Sequence, residues 1–186
     1  MNAFLDFEAS SLGRHGYPIE IAWVFEDDRS RSLLIKPEPT WTDWSEDAQA
    51  IHGISRQQLD QEGTPVILVV TEMMAELAGH DLYASSPSWD GKWLSVLLRG
   101  GGVPRHMLRV RKSDDLFQDI ASQIIGASPN FSRGGVGAVH VDISALVAEV
   151  IARSEPDSLA HRALPDAQLE LERLRLVREA AQRRLV

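Results

Sequence analysis

The sequence predicts an α/β fold in which a mixed β-sheet is covered by helices. Two observations carry this. Three apolar, strand-like segments follow one another before Pro37 with only short connections, which suggests an antiparallel meander. From Thr42 onward the hydrophobic period changes, and short strands alternate with helical stretches. The chain has 186 residues, 44% of them hydrophobic, and no run approaches the length of a membrane span. It therefore fits one soluble globular domain, residues 1–186, with a sizeable core.

The first strand is Ala3-Phe4-Leu5-Asp6-Phe7-Glu8, short and apolar enough to be buried and central. A Ser/Gly/Pro-rich loop, Ala9 to Pro18, follows. Ile19 to Phe25 alternates, with Ile19, Ile21, Trp23 and Phe25 on one face. A polar turn leads to Ser32–Lys36, which Pro37 and Pro39 stop. Thr42 to Ile51 reads as a short helix ended by Gly53, and Ser55–Leu59 as a single turn. Thr64 and Pro65 read as N-cap and first helical residue of a helix closing at Gly79. Asp81–Ala84 is a short strand, and a helix runs from Trp89 to the glycines at 100–102. Arg105–Lys112 alternates as a strand with Arg105, Arg109 and Arg111 on its outer face. Leu116–Ile125 is a helix capped by Ser113 or Asp114. Gly126–Gly137 is a surface loop, Val139–Arg153 a helix, and the last helix opens near Pro165.

Composition narrows the function. Cysteine is absent, which excludes disulfides and thiolate metal sites and is compatible with a reducing cytoplasm. The N-terminus enters a core strand directly and does not read as a signal peptide. A net charge of -8 argues against binding nucleic acid by bulk electrostatics. It does not exclude an enzyme whose acidic cluster holds cations, because bound ions reverse the local field.

Asp6 and Glu8 stand two apart on one strand and so project from the same face. Their mutual repulsion raises a pKa unless a cation sits between them. Alone, Asp-x-Glu is a weak signal, and a strand running into a solvated loop is the bland alternative. Two further acids stand out. Asp90 lies at a helix start just after the strand at Leu82-Tyr83, where backbone N–H groups favour an anion. Asp166 follows Pro165 in the first turn of the last helix, with His161 in the segment before it. Were that helix to begin near Ser158, His161 and Asp166 would lie about 140° apart around it.

Together these residues resemble the DnaQ-like exonucleases of the DEDDh type. The family's Asp-x-Glu, aromatic-Asp and His-x4-Asp motifs match Asp6/Glu8, Trp89-Asp90 and His161/Asp166. The context matches as well, in Ile51-His52-Gly53-Ile54-Ser55, in Trp89-Asp90-Gly91-Lys92-Trp93-Leu94 and in His161-Arg162-Ala163-Leu164-Pro165-Asp166-Ala167. The likeness covers residues 3 to about 180. Two departures bear on substrate preference: Ala9-Ser10-Ser11 where the family usually has Thr-Thr-Gly, and Ser86 where it usually has Asn.

The resemblance implies a ribonuclease-H-like fold, with three antiparallel strands followed by further strands, flanked by helices. It implies two divalent cations, Mg²⁺ or Mn²⁺, on Asp6, Glu8, Asp90 and Asp166; such oxygen ligands suit hard ions. His161 would be the general base, its ordinary pKa near ~6.5 suiting that work. The activity implied is 3'-5' exonucleolysis of single-stranded or short RNA or DNA, releasing nucleoside 5'-monophosphates. Substrate contacts fall to Ala9, Ser10 and Ser86, to Leu12 as an apolar wedge, and to Trp44 and Trp89 by stacking. Core packing is the alternative for Leu12 and both tryptophans. Arg105, Arg109 and Arg111 either track phosphate or, as we favour from sequence, protect an edge strand. The rival readings are a catalytically weak or inactive nucleic-acid or partner-binding module on the same fold, and a proofreading subunit that acts beside a polymerase. Family members are often homodimers; for this chain a cytoplasmic location and no membrane association are expected.

Overall fold

The structure is a computed structural model and describes residues 1–127, 142–156 and 161–185. Six strands form one sheet. They are β1 (Asn2–Ala9), β2 (Pro18–Phe25), β3 (Ser30–Lys36), β4 (Thr64–Pro65), β5 (Asp81–Ala84) and β6 (Val110–Lys112), in the order β4-β3-β2-β1-β5-β6. β1–β2 and β2–β3 are antiparallel, whereas β1–β5, β5–β6 and β3–β4 are parallel. The expected meander and the mixed sheet are both present, and the architecture is ribonuclease-H-like.

Helices cover both faces. On one, α3 (Val66–Leu77) and α4 (Pro87–Gly100) pack on Leu5, Phe7, Ile21 and Trp23. On the other, α5 (Ser113–Gly126), α6 (Ile143–Arg153) and α7 (Ala163–Arg183) pack on Phe4, Val24 and Tyr83. Every residue of β2 is therefore buried, and its apparent alternation did not mark a wet face. The short α1 (Glu46–His52) and α2 (Arg56–Glu62) close the β3 side over Tyr17, Ile19 and Leu59. Ser45 caps α1, and Gly53 ends it at φ 71, a left-handed turn that glycine adopts without a Cβ clash.

Several boundaries differ from expectation for local reasons. Thr64 and Pro65 do not open α3; they pair with Ile35 and Lys36 as β4. α4 begins at Pro87, using the proline's fixed φ at its first position. Ser113 is itself the first residue of α5, with a buried hydroxyl, and neither it nor Asp114 is the cap. Of the expected strand 105–112 only Val110–Lys112 pairs, because residues 104–108 turn after Pro104. α7 opens at Ala163, one half-turn before Pro165. The loop expected at 126–137 lies, from 128 onward, outside the described residues, as does the start of the helix expected from Val139.

α7 bridges the sheet and the site, so its seat matters most. Leu171, Leu174 and Val177 bury its inner face against Phe4 and Val24. Leu174→Ala should cost about 2–5 kcal/mol, the transfer term plus a cavity, read as a lower urea midpoint at unchanged m-value.

Candidate active site

β1 emerges at the carboxyl end of the sheet, and there its register with β2 slips between Glu8 and Ala9. Such a bulge re-aims the chain at a strand end. Asp6 and Glu8 project on the α7 side, and Asp166, in the first turn of α7, meets them. One carboxylate oxygen from each of the three lies within 4.8 Å of the others. Asp90, on the first turn of α4, is 3% exposed, and its Oδ2 has no hydrogen-bond partner among the described residues. A cleft of about 370 Å³ joins Asp6, Glu8, Asp90 and His161.

The electrostatics follow from the crowding. Burial, above all, pushes the Asp6 carboxyl well above its usual range, and Asp90, Asp166 and Glu8 add repulsion. Glu8 is pushed up to about 7, by burial first and then by Asp166 and Glu20, with Arg162 opposing. Burial also lifts Asp90 to about 7, partly offset by the backbone amides of Ser86, Asp90 and Phe7. Asp166 is raised by burial, with His161 as the first opposing charge. The donors are all oxygens, one is an orphaned buried Oδ2, and like charges face one another. That set fits hard divalent cations.

His161 is half-buried at φ 45, a left-handed backbone conformation uncommon for a side-chain-bearing residue. What holds it there is Glu20, which the sequence reading did not single out. Arg162 donates to the Glu20 carboxylate from Nε at 2.9 Å and Nη2 at 2.6 Å. The Ala163 N–H, one of the donors left over at the start of α7, donates to it at 3.1 Å, and the Ser32 hydroxyl at 3.2 Å. Glu20 is 1% exposed and lies opposite Glu8 in the β1–β2 register. Its signal in the sequence was a lone acid inside the apolar run of β2.

The other sequence-designated residues divide. Ala9, Leu12, Ser86 and Trp89 line the cleft. Leu12 is 68% exposed and so is not core. Ser10 is fully buried and does not line the cleft; its hydroxyl accepts from the Tyr17 N–H and serves the loop. Trp44 also lies off the cleft, edge-on to His52, with its indole N–H on Gln49. Among the cleft residues that sequence reasoning did not designate are Ile51 and His52. Ile51 is exposed at the rim. The buried His52 Nδ1 accepts from the Ile54 N–H at 3.0 Å, which assigns the proton to Nε2, a donor with no protein partner among the described residues. Burial lowers the His52 pKa, with Glu20 opposing. The Ile51-His52-Gly53 context was its only sequence signal.

No protein-family model matches the sequence, and neither does any curated protein. Solved structures do match the fold. E. coli Exonuclease I in complex with a dT13 oligonucleotide aligns at a TM-score of 0.65 and 14% identity, over 99% of this chain and 42% of that one. Exonuclease I from Methylocaldum szegediense aligns at 0.64 and 19%, over 96% and 40%. The nuclease domain of 3'hExo, described as a DEDDh family member and bound to rAMP, aligns at 0.62 and 15%, over 97% and 93%. The chain thus shares its fold with these nuclease structures. It spans about two fifths of the length of the Exonuclease I chains and nearly all of the 3'hExo domain.

Two outcomes follow from this geometry. Glu20→Ala strands the buried Ala163 N–H but leaves Arg162, which is partly exposed, free to reach water. The expected loss is about 1–3 kcal/mol in urea unfolding, below the ~3–5 kcal/mol of a fully buried pair. An acid whose folded pKa is raised loses stability as pH climbs from its unfolded value to its folded one. For Glu8 and Asp90 that window runs from about 4 to about 7. In chelated buffer the Glu8→Gln/Asp90→Asn protein should therefore unfold at higher urea than wild type at pH 8, and the gap should shrink toward pH 5.

Proposed function

We propose that the chain is a divalent-cation-dependent 3'-5' exonuclease that releases nucleoside 5'-monophosphates from single-stranded or short nucleic acid. One observation carries the reading. The carboxyls of Asp6, Glu8 and Asp90 line one cleft beside a histidine held on left-handed backbone, and Asp166 brings a fourth carboxyl within 4.8 Å of the first two. The exonuclease likenesses support the same class.

Asp6, Glu8, Asp90 and Asp166 would hold Mg²⁺ or Mn²⁺. Bound there, two such ions would supply positive charge for the attacking and leaving oxygens of a phosphoryl displacement. His161 takes the proton from the attacking water, and the Glu20–Arg162 contact keeps the imidazole over the cleft. Leu12, Ile51 and Trp89 give the cleft an apolar rim on which terminal bases stack. Ala9 and Ser86 shape the wall beside the acids.

The test is a ladder assay on 5'-labelled RNA and DNA oligomers with Mg²⁺, Mn²⁺ or EDTA. Wild type should shorten the 3' end one nucleotide at a time and stop in EDTA. Ala at Asp6, Glu8, Asp90 or Asp166 should abolish release, whereas His161→Ala should slow it about 10²–10⁴-fold with cation binding kept. Full activity in Asp6→Ala would refute the assignment. Tight binding with no turnover in Mn²⁺ would point instead to a non-catalytic module.

A further inference from the structure

On the far flank of α4 from the acids lies a second cleft, of about 470 Å³, lined by Lys92, Ser95, Arg105, His106 and Arg109 over a floor of Leu94 and Leu108. We propose that this basic cleft binds the phosphate backbone of the substrate strand 5' of the end being cut. The inference rests on the exonuclease reading for its direction, but its contacts are separate from the catalytic ones.

Charge accounting makes the cleft unusual. The protein is acidic, and ten of its arginines together with Lys112 contact a carboxylate. Lys92, Arg105 and Arg109 take part in no ion pair among the described residues, and the cleft lining includes no acid. Three cations gathered without a counter-charge repel one another in the free protein, and a polyanion relieves that repulsion. Sequence alone favoured edge protection for Arg105, Arg109 and Arg111, but the structure separates them. Arg111 sits on β6, over the Tyr83 ring and paired with Asp81. Arg105 and Arg109 precede the strand and are exposed in the cleft.

The two clefts meet at Lys92. Trp89, Asp90 and Trp93 face the acids, and Gly91, Leu94 and Ser95 face the basic side. The Lys92 ammonium lies 4.0 Å from the Trp93 ring centroid and 5.1 Å from that of Trp89. It also donates to the Gly13 carbonyl at 2.8 Å, next to Leu12 on the rim of the first cleft. A strand whose last base rests on Leu12 and Trp89 thus passes a cation at the helix edge and reaches Arg105 and Arg109 a few nucleotides back.

The experiment compares wild type, Arg105→Ser/Arg109→Ser, Arg105→Lys/Arg109→Lys and an Arg153→Ser/Arg183→Ser control. Fluorescence anisotropy in chelated buffer measures binding of 20-residue oligothymidylate and oligouridylate and of the matching trimers, across a salt series. The Ser pair should bind the 20-mers at least tenfold more weakly, with a much smaller change for the trimers. Its salt slope should fall by about 1.4, two lost phosphate contacts at ~0.7 each on a single strand. The Lys pair should keep the slope, and the control should match wild type. Wild-type affinity and slope in the Ser pair overturn the inference, as does a wild-type protein that binds no 20-mer. If the Ser pair loses binding while neither protein cleaves with Mg²⁺ or Mn²⁺, the cleft stands and the exonuclease reading falls. If wild type cleaves and the Ser pair binds as wild type does, the reverse holds.

Discussion

The structure is arranged around a repulsion. Asp6, Glu8 and Asp166 bring carboxylate oxygens within 4.8 Å of each other at the end of a central strand, where water is scarce, and Asp90 joins them from α4. Left to relax, such groups move apart or keep their protons, and three of the four are pushed far up in pKa. They are held because each sits on an element locked elsewhere. β1 is bonded to β2 on one side and β5 on the other, α7 is seated on Phe4 and Val24, and α4 is wedged against Leu5 and Trp23. The core pays for the site.

Glu20 shows by contrast what a structural acid looks like in the same neighbourhood. It stands opposite Glu8 in the sheet, and it is more thoroughly buried. Yet it accepts from the Arg162 guanidinium twice, from Ser32 and from the Ala163 amide. Asp90 takes backbone amides as well, but its Oδ2 accepts nothing among the described residues. Burial alone does not separate the two roles; an oxygen left without a donor does. Glu170 and Arg173, one and two turns along α7 from Asp166, pair at 2.7 Å and fall on the structural side of that line. The satisfied acid bears on the start of α7, because its carboxylate takes the Ala163 N–H and pairs with Arg162, the residue after His161.

Much of this was legible in the sequence. The three leading strands and the mixed sheet were readable because strand period and helix starts are local properties, whereas the grouping of Asp6, Glu8, Asp90, His161 and Asp166 was implied only by the family resemblance. Glu20 was not, since its meaning depends on α7 crossing the face of β2 that the alternation left looking wet. His52 was hidden for a similar reason: a histidine near a helix end becomes a donor into a cleft only once Ile54 takes its other nitrogen. Ser10 erred the other way. It follows the acid pair by two residues, but the slip at Glu8/Ala9 turns it inward to Tyr17. The false N-cap at Thr64 has the same origin, because a parallel partner on β3 outweighed the capping preference.

The distribution of charge completes the argument. A protein at -8 repels a polyanion on average, so approach must be local. The arginines of α7 and of the β2–β3 side are spent on nearby carboxylates, which leaves them little field beyond a few ångströms. On the α4 side the cations of the basic cleft are not so neutralised, and α4 is also the helix that carries Asp90. One helix thus carries the unpartnered carboxyl of Asp90 on one flank and, through Lys92, borders the basic cleft on the other. Divalent ions at the first and a phosphate backbone along the second would neutralise both, and each would draw the other in.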